Sequence, residues 1–333
     1  MKLLQHWHPV IESNTLNKKP ISVNLCGKEI VLFRTSGGEI GALYNRCCHR
    51  GMRLSCGWVE GEEIVCPYHG WRYKSCGKVF SPGTPKLNPR VSSFTTVERH
   101  GVIWIKSADS TATFPDFNVE NYLSAGVLTH EIQAPLEFVL DNFSEIEHTP
   151  STHTYFGYSS EDISKVQTTV KTKDNSVCVN NKGIQRYLPP IVQKLFFNVH
   201  SGDWFFDNWE TFFSPIYSVY DQFWLDAVTE KPRKLRLKLI LFFIPISETQ
   251  TRIMMFVFAS RVVNKLIFQL LGKPIVRFFI NHELILDKAI LENIIDKEMS
   301  LNQMQLGRFD GILAENRKRI NRIYRNDSSR VNV

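Results

Sequence analysis

Two cysteine–histidine pairs, Cys47-x-His49 and Cys66-x-x-His69, stand sixteen residues apart within CCHRGMRLSCGWVEGEEIVCPYHGWRY. A zinc finger groups like ligands, C-x₂₋₄-C followed by H-x₃₋₅-H. Here each loop offers one thiolate and one imidazole. That set suits a two-iron, two-sulfide cluster in which one iron takes both cysteines and the other both histidines, with zinc as the competing reading. Gly51, Gly57, Gly61 and Gly70 lie in and beside the loops. Their permissive backbone lets amides approach the sulfides. Cys48, Cys56 and Cys76 are left over, to pack or to sit near the cluster.

A chain of 333 residues with 43% apolar content has room for two cores. From Ile21 to Ile105 it reads as short strands punctuated by turns at Gly27, Gly37, Gly38, Gly77 and Gly101, an all-β unit. The polar, proline-containing stretch 107–122 reads as a linker, which puts the domains at 1–120 and 121–333. In the second unit, hairpins are expected with turns at 173–176 and 247–250, and WETFFSPIYSVYDQFWLDAV adds aromatic strands. Apolar residues at helical spacing follow from Val262 to Glu298, with a break near Gly272 and Pro274. The fold class is therefore α+β: an all-β domain, then an antiparallel sheet with helices on one face.

The formal charge of +7 is mostly dispersed, which argues against a nucleic-acid surface. One dense run, ENRKRINRIYR, holds Arg317, Lys318, Arg319, Arg322 and Arg325. It reads first as a solvated terminal helix, and alternatively as a docking surface for an acidic redox protein. The amino terminus has too short an apolar run for a secretory signal. LKLILFFIPI, the most apolar segment, is a buried strand rather than a membrane span. Seven cysteines in such a chain fit a reducing, cytoplasmic setting.

A second constellation lies in LDNFSEIEHTPSTHTYFGY, residues 140–158. Asn142, Glu145 and His148 are spaced by threes on one side of a helix that ends near Pro150, and the proline brings His153 back toward His148. Two histidines and one carboxylate form the facial triad of oxygen-activating Fe(II) enzymes. The carboxylate comes from downstream. Asp287, beside an apolar helical face, is the first choice, with Glu283 and Asp296 as alternatives.

Cys47-Cys48-His49-Arg50-Gly51 and Cys66-Pro67-Tyr68-His69-Gly70-Trp71 resemble the signature of Rieske non-heme iron oxygenases. The second constellation is similar to that family's Asn-x-x-Asp-x-x-His-x₄-His motif, departing only in Glu145 for aspartate, and LDKAILE resembles the segment carrying its last ligand. The resemblance implies a helix-grip-like catalytic domain and a [2Fe-2S] cluster on Cys47, His49, Cys66 and His69. It also implies mononuclear Fe(II) on His148, His153 and Asp287, dioxygen as co-substrate, and electrons from a flavin and ferredoxin-type reductase. A head-to-tail homotrimer is implied as well, with Glu145 bridging an iron-binding histidine to a cluster histidine of the neighbouring subunit. Electron-carrying Rieske proteins have a disulfide where this chain has Met52 and Tyr68, and a serine where it has Trp71. Fewer hydrogen bonds to sulfur place the expected potential at the low end of the Rieske range, about −150 to +300 mV.

The overall run of sequence is most similar to the saxitoxin-pathway members, which hydroxylate bis-guanidinium alkaloids. A guanidinium calls for carboxylates and aromatic faces. SGDWFFDNWETFF, with Asp203, Trp204, Asp207 and Glu210, offers both, and Met255 is a candidate apolar wall. The alternatives are a Rieske O- or N-demethylase or another small-molecule monooxygenase. A different class is an electron-transfer protein with a ligand-binding domain.

Overall fold

A computed structural model describes residues 2–195, 198–261, 264–297 and 300–326. The chain folds as two compact units, 1–115 with 244–248, and 116–243 with 249–333. The division falls inside the 107–122 stretch. The grouping of 244–248 with the first unit has no counterpart in the sequence reading.

Alternating short runs between glycine turns become ten strands in the first unit: β1 His8–Glu12, β2 Ile21–Leu25, β3 Lys28–Arg34, β4 Ile40–Tyr44, β5 Trp58–Glu60, β6 Glu63–Val65, β7 Arg72–Lys74, β8 Val79–Phe80, β9 Phe94–Arg99 and β10 Val102–Ser107. They form three small sheets, ordered β1-β10-β9, β2-β3-β4 and β5-β6-β7-β8. β1 was not expected. Its proline falls in a strand paired only with β10, where a missing N–H leaves no ladder broken on the other side. Val31, Phe33, Leu43, Leu54, Ile64, Tyr73 and Val79 pack into one core that includes Cys47 and Cys66.

The second unit is built on a seven-stranded sheet of β11 Tyr122–Ile132, β12 Gln167–Thr172, β13 Ser176–Ile184, β14 Trp204–Phe213, β15 Ile216–Leu225, β16 Pro232–Pro245 and β17 Thr251–Ser260. Its order is β11-β17-β16-β15-β14-β13-β12. Hairpins run antiparallel from β12 to β16, and the first strand returns to pair antiparallel with the last. That first strand was missed. YLSAGVLTHEI alternates imperfectly because a bulge between Ser124 and Gly126 shifts its register against β17.

The helices are α1 Leu136–Asn142, α2 Thr149–Thr152, α3 Pro190–Leu195, α4 Lys265–Ile267, α5 Lys273–Asn293 and α6 Leu313–Arg319. A π-helical turn, Phe268–Gly272, joins α4 to α5, so Gly272 and Pro274 distort the expected helix without ending it. Val262 and Glu298, its expected limits, lie outside the described residues. On α5 the buried positions are Val276, Phe279, Ile280, Glu283, Leu284, Asp287 and Leu291, one stripe at helical spacing. Five apolar side chains contribute on the order of 10 kcal/mol of burial before entropy, enough to tolerate two carboxylates only if those are compensated. Arg277 Nη1 donates to the Val127 carbonyl at 2.9 Å, and His130 Nε2 meets Asn281 Oδ1 at 2.8 Å, tying α5 to β11. No helix among the described residues is long and apolar enough to cross a membrane.

Two expectations are corrected. The helix carrying Asn142 ends there, and Glu145 to His148 lie in turns before α2, with Pro150 in the first helical turn, where its missing N–H is not needed. The arginines of the terminal run are engaged within the fold rather than forming a freely solvated face, although Lys318 and Arg322 remain exposed. Arg317 pairs with Asp141 and Arg325 with Glu137. Arg319, buried, donates to the Lys173 carbonyl, and Arg322 donates to that of Asp174. Burial pushes the Asp141 carboxyl up to about 7 against the pull of Arg317. Replacing Arg317 with methionine therefore strands a buried acid. The expected loss is about 3 kcal/mol in urea unfolding, and a change under about 0.5 kcal/mol would contradict the pairing.

Candidate active site

The two cysteine loops are one turn used twice. Cys47 N–H donates to the Met52 carbonyl at 2.7 Å and Gly51 N–H to the Cys47 carbonyl at 2.9 Å. Likewise Cys66 N–H donates to the Trp71 carbonyl at 2.8 Å and Gly70 N–H to the Cys66 carbonyl at 3.1 Å. Closing each turn puts Gly51 at φ +77° and Gly70 at φ +67°, a region where a side chain is strained. The result places two buried thiols inside the core and two exposed imidazoles outside, their rings 4.5 Å apart. The His49 ring stacks on Trp71 at 4.8 Å. Burial pushes the Cys66 thiol up, with Cys47 beside it. Two buried cysteine sulfurs beside each other, with two imidazoles outside the core, form a donor set that fits a [2Fe-2S] cluster.

Tyr73 was not foreseen in this role. Its hydroxyl donates to Cys47 Sγ at 3.0 Å and accepts from Cys48 N–H at 3.1 Å. Burial, then the Cys47 thiol, hold the phenol well above its ordinary pKa, so it remains a donor. The available signal was its position in β7, two residues after Trp71 on the face that enters the core. Cys48 lies against the same hydroxyl, while Cys56 and Cys76 are exposed.

In the second unit, His148 from the turn before α2, His153 just after it and Asp287 from α5 bring three donor atoms within 4.8 Å of one another. Asp287 Oδ1 lies 3.3 Å from His148 Nε2 and 3.1 Å from His153 Nε2. Asn142 Nδ2 donates to the same oxygen at 3.2 Å. Glu145 hydrogen-bonds His148 Nδ1, which leaves Nε2 to face the centre, the usual outer support of a metal-bound imidazole. Desolvation alone would lower the His148 pKa, but Asp287 and Glu145 raise it to about 10. Burial likewise opposes ionisation of Asp287, yet the two histidines hold its carboxyl well below the ordinary range. A buried carboxylate that demands positive charge, flanked by two imidazoles, fits a divalent metal ion. Of the alternatives, Asp296 is exposed beyond the end of α5, and Glu283 is buried but turned to backbone amides.

A cavity opens on this centre. It is lined by Asp207, Trp209, Tyr220, Gln222 and Met255 together with the triad, Asn142 and Glu145. Asp207 is buried and its pKa is raised by desolvation; among the described residues Gln222 Nε2 donates to its carboxylate, at 3.0 Å. Trp204 and Glu210 do not line this cavity. Strand side chains alternate faces, and in β14 the odd positions Phe205, Asp207 and Trp209 are buried while Trp204 and Glu210 lie on the other side. Trp204 sits under Lys182, and Glu210 accepts from Lys173 and Ser176, each at 2.7 Å. Asp203 is committed to Arg233 at 2.6 Å. Gln222, Trp209 and Tyr220 were not singled out, although all three lie on the β14–β15 hairpin that carries Asp207, with Gln222 opposite Asp207 and Tyr220 opposite Trp209.

Comparison with protein families matches residues 6–95 to the Rieske [2Fe-2S] domain and 132–324 to the vanillate O-demethylase oxygenase C-terminal domain. The chain is 32% identical over 167 residues to methylxanthine N1-demethylase NdmA of Pseudomonas putida, covering 45% of this chain and 47% of that protein. It is 32% identical over 160 residues to the chloroplastic chlorophyllide a oxygenase of Oryza sativa subsp. japonica, covering 46% of this chain and 29% of that one. The chain thus aligns with less than half the length of either. Its fold matches that of dicamba monooxygenase bound to 3,6-dichlorosalicylic acid with a TM-score of 0.82 at 17% identity, over 98% of this chain and 99% of the other.

Removing the Tyr73 hydroxyl should lower the cluster potential. One net hydrogen bond of about 1 kcal/mol corresponds to about 40 mV for one electron. Voltammetry of Tyr73→Phe is expected to show that downward shift. An unmoved midpoint would mean the hydroxyl does not act on the cluster.

Proposed function

The chain belongs to the vanillate O-demethylase oxygenase family of Rieske proteins, and from that premise we propose that it is a Rieske oxygenase hydroxylating a C–H bond of a cationic small molecule. The observation that carries this reading is the convergence of His148, His153 and Asp287 beside a cavity. Iron held there would supply oxygen activation, with electrons arriving through the cluster of Cys47, His49, Cys66 and His69.

This chain's residues do the rest. Asn142 and Glu145 hold Asp287 and His148 in orientation by hydrogen bonds. Asp207 offers its carboxylate to the substrate's positive charge, and Met255 contributes apolar wall. Burial raises the Asp207 pKa and so favours its neutral form; no lysine or arginine pairs with it among the described residues, and a cation in the cavity would supply the counter-charge that keeps it ionised. A guanidinium alkaloid of the saxitoxin type satisfies this with charge and parallel donors. A ferredoxin-type reductase as donor, a head-to-tail trimer in which Glu145 reaches the neighbouring cluster, and a reducing cytoplasmic setting complete the proposal. Demethylation is the second reading, supported by the names of the C-terminal family and of NdmA.

The test is oxygen uptake with a reductase, NADH and a bis-guanidinium alkaloid. Substrate-dependent uptake with a hydroxylated product supports the first reading, and formaldehyde release the second. Asp207→Asn should weaken binding of the cation roughly 10–100-fold, as loss of a charged hydrogen-bond partner does. Unchanged affinity would remove the cationic substrate.

A further inference from the structure

The peptide unit joining His153 to Thr154 is gripped at both ends by side chains of opposite charge. Its carbonyl oxygen accepts from Arg186 Nη1, which also donates to the Thr149 carbonyl at 3.2 Å. Its N–H donates to Glu283 Oε2 at 3.0 Å. The other oxygen of Glu283 takes the N–H of Tyr155 at 2.7 Å and of Phe156 at 3.4 Å. Glu283 lies four residues, one helical turn, before Asp287 on the same buried stripe of α5. Arg186, just beyond β13, is itself anchored, its backbone N–H donating to the Gly157 carbonyl at 3.1 Å. Gln185 Nε2 donates to the Tyr155 carbonyl at 2.9 Å.

Both oxygens of Glu283 are therefore spent on amides, which is why this carboxylate is not a ligand while Asp287 is free to be one. The arrangement also does something for the histidine. An imidazole is aimed by two side-chain torsions only after its backbone is fixed, and metal–ligand distances tolerate about 0.2 Å. We propose that Glu283 and Arg186 are positioning residues that clamp the 153–154 peptide and so register His153 against Asp287. This inference rests on reading His148, His153 and Asp287 as the metal site. Because one end of the clamp rides on the helix that carries Asp287, a shift of α5 would move the ligand and the clamp together and keep their spacing.

The substitution Glu283→Gln keeps size but replaces one acceptor with an N–H₂, which faces an amide donor in either orientation of the side chain. Arg186→Gln releases the carbonyl end. The probe is Co(II), titrated by absorption against a competing chelator into protein stripped of its mononuclear metal but retaining its cluster. Val257→Ala, a buried apolar truncation on β17, serves as a control for lowered stability alone. Each clamp variant should weaken Co(II) binding about tenfold or more with cluster absorption unchanged, as loss of outer-shell support does. The double variant should fall short of the sum, since both grip one peptide. The control should lower the melting temperature without changing Co(II) affinity. If Glu283→Gln does not fold, Arg186→Lys, which keeps the charge but loses the fork, is expected to weaken binding to a lesser degree. Wild-type affinity in any folded clamp variant, or an equal loss in Val257→Ala, overturns the proposal. Failure of wild-type protein to bind one Co(II) at the triad overturns the metal reading itself, and the clamp with it.

Discussion

A single buried carboxylate organises the catalytic unit. Asp287 is ionised inside a helix–sheet core, a state that costs several kcal/mol unless positive charge and donors surround it. Asn142 at the end of α1, His148 before α2 and His153 after it all turn toward it. Those contacts join segments 134 to 145 residues apart in sequence. The short α1, the break after Asn142 and the proline-started α2 can be understood as the backbone that delivers these groups to one oxygen.

The cluster unit solves a related problem with different means. Its thiols are placed by a repeated turn, so the geometry is local and cheap to encode: cysteine, a glycine four residues on, and a carbonyl five residues on. Around this turn the core closes over the sulfur atoms and leaves the imidazoles outside. Tyr73 adds a hydrogen bond to the Cys47 sulfur. The expectation of few hydrogen bonds to sulfur is thereby moderated without being reversed.

Much of this was legible in the sequence because it is local. Spacing exposed both cysteine–histidine loops, and helical periodicity with a nearby acid pointed to Asp287. What failed did so for stated physical reasons. Trp204 and Glu210 were chosen with Asp207 by composition, although a two-residue period places them on opposite faces of one strand. The helix was carried through to Pro150 because a three-residue spacing looks the same in a helix and in successive turns. The charged terminal run resembled a solvated face, yet its partners on α1 and at the β12–β13 turn are fixed only by the tertiary fold. Glu283 stood as an alternative to Asp287, since which carboxylate meets imidazole and which meets amide depends on how the 153–156 segment crosses the helix.

The measurement that bears most directly on the central claim is iron and sulfide content of anaerobically purified protein, wild type beside His148→Ala/His153→Ala. Two independent iron sites predict about three irons and two sulfides per chain in the wild type, and about two irons with unchanged sulfide in the variant. Equal iron in both proteins would contradict the account, leaving a cluster protein without a mononuclear centre.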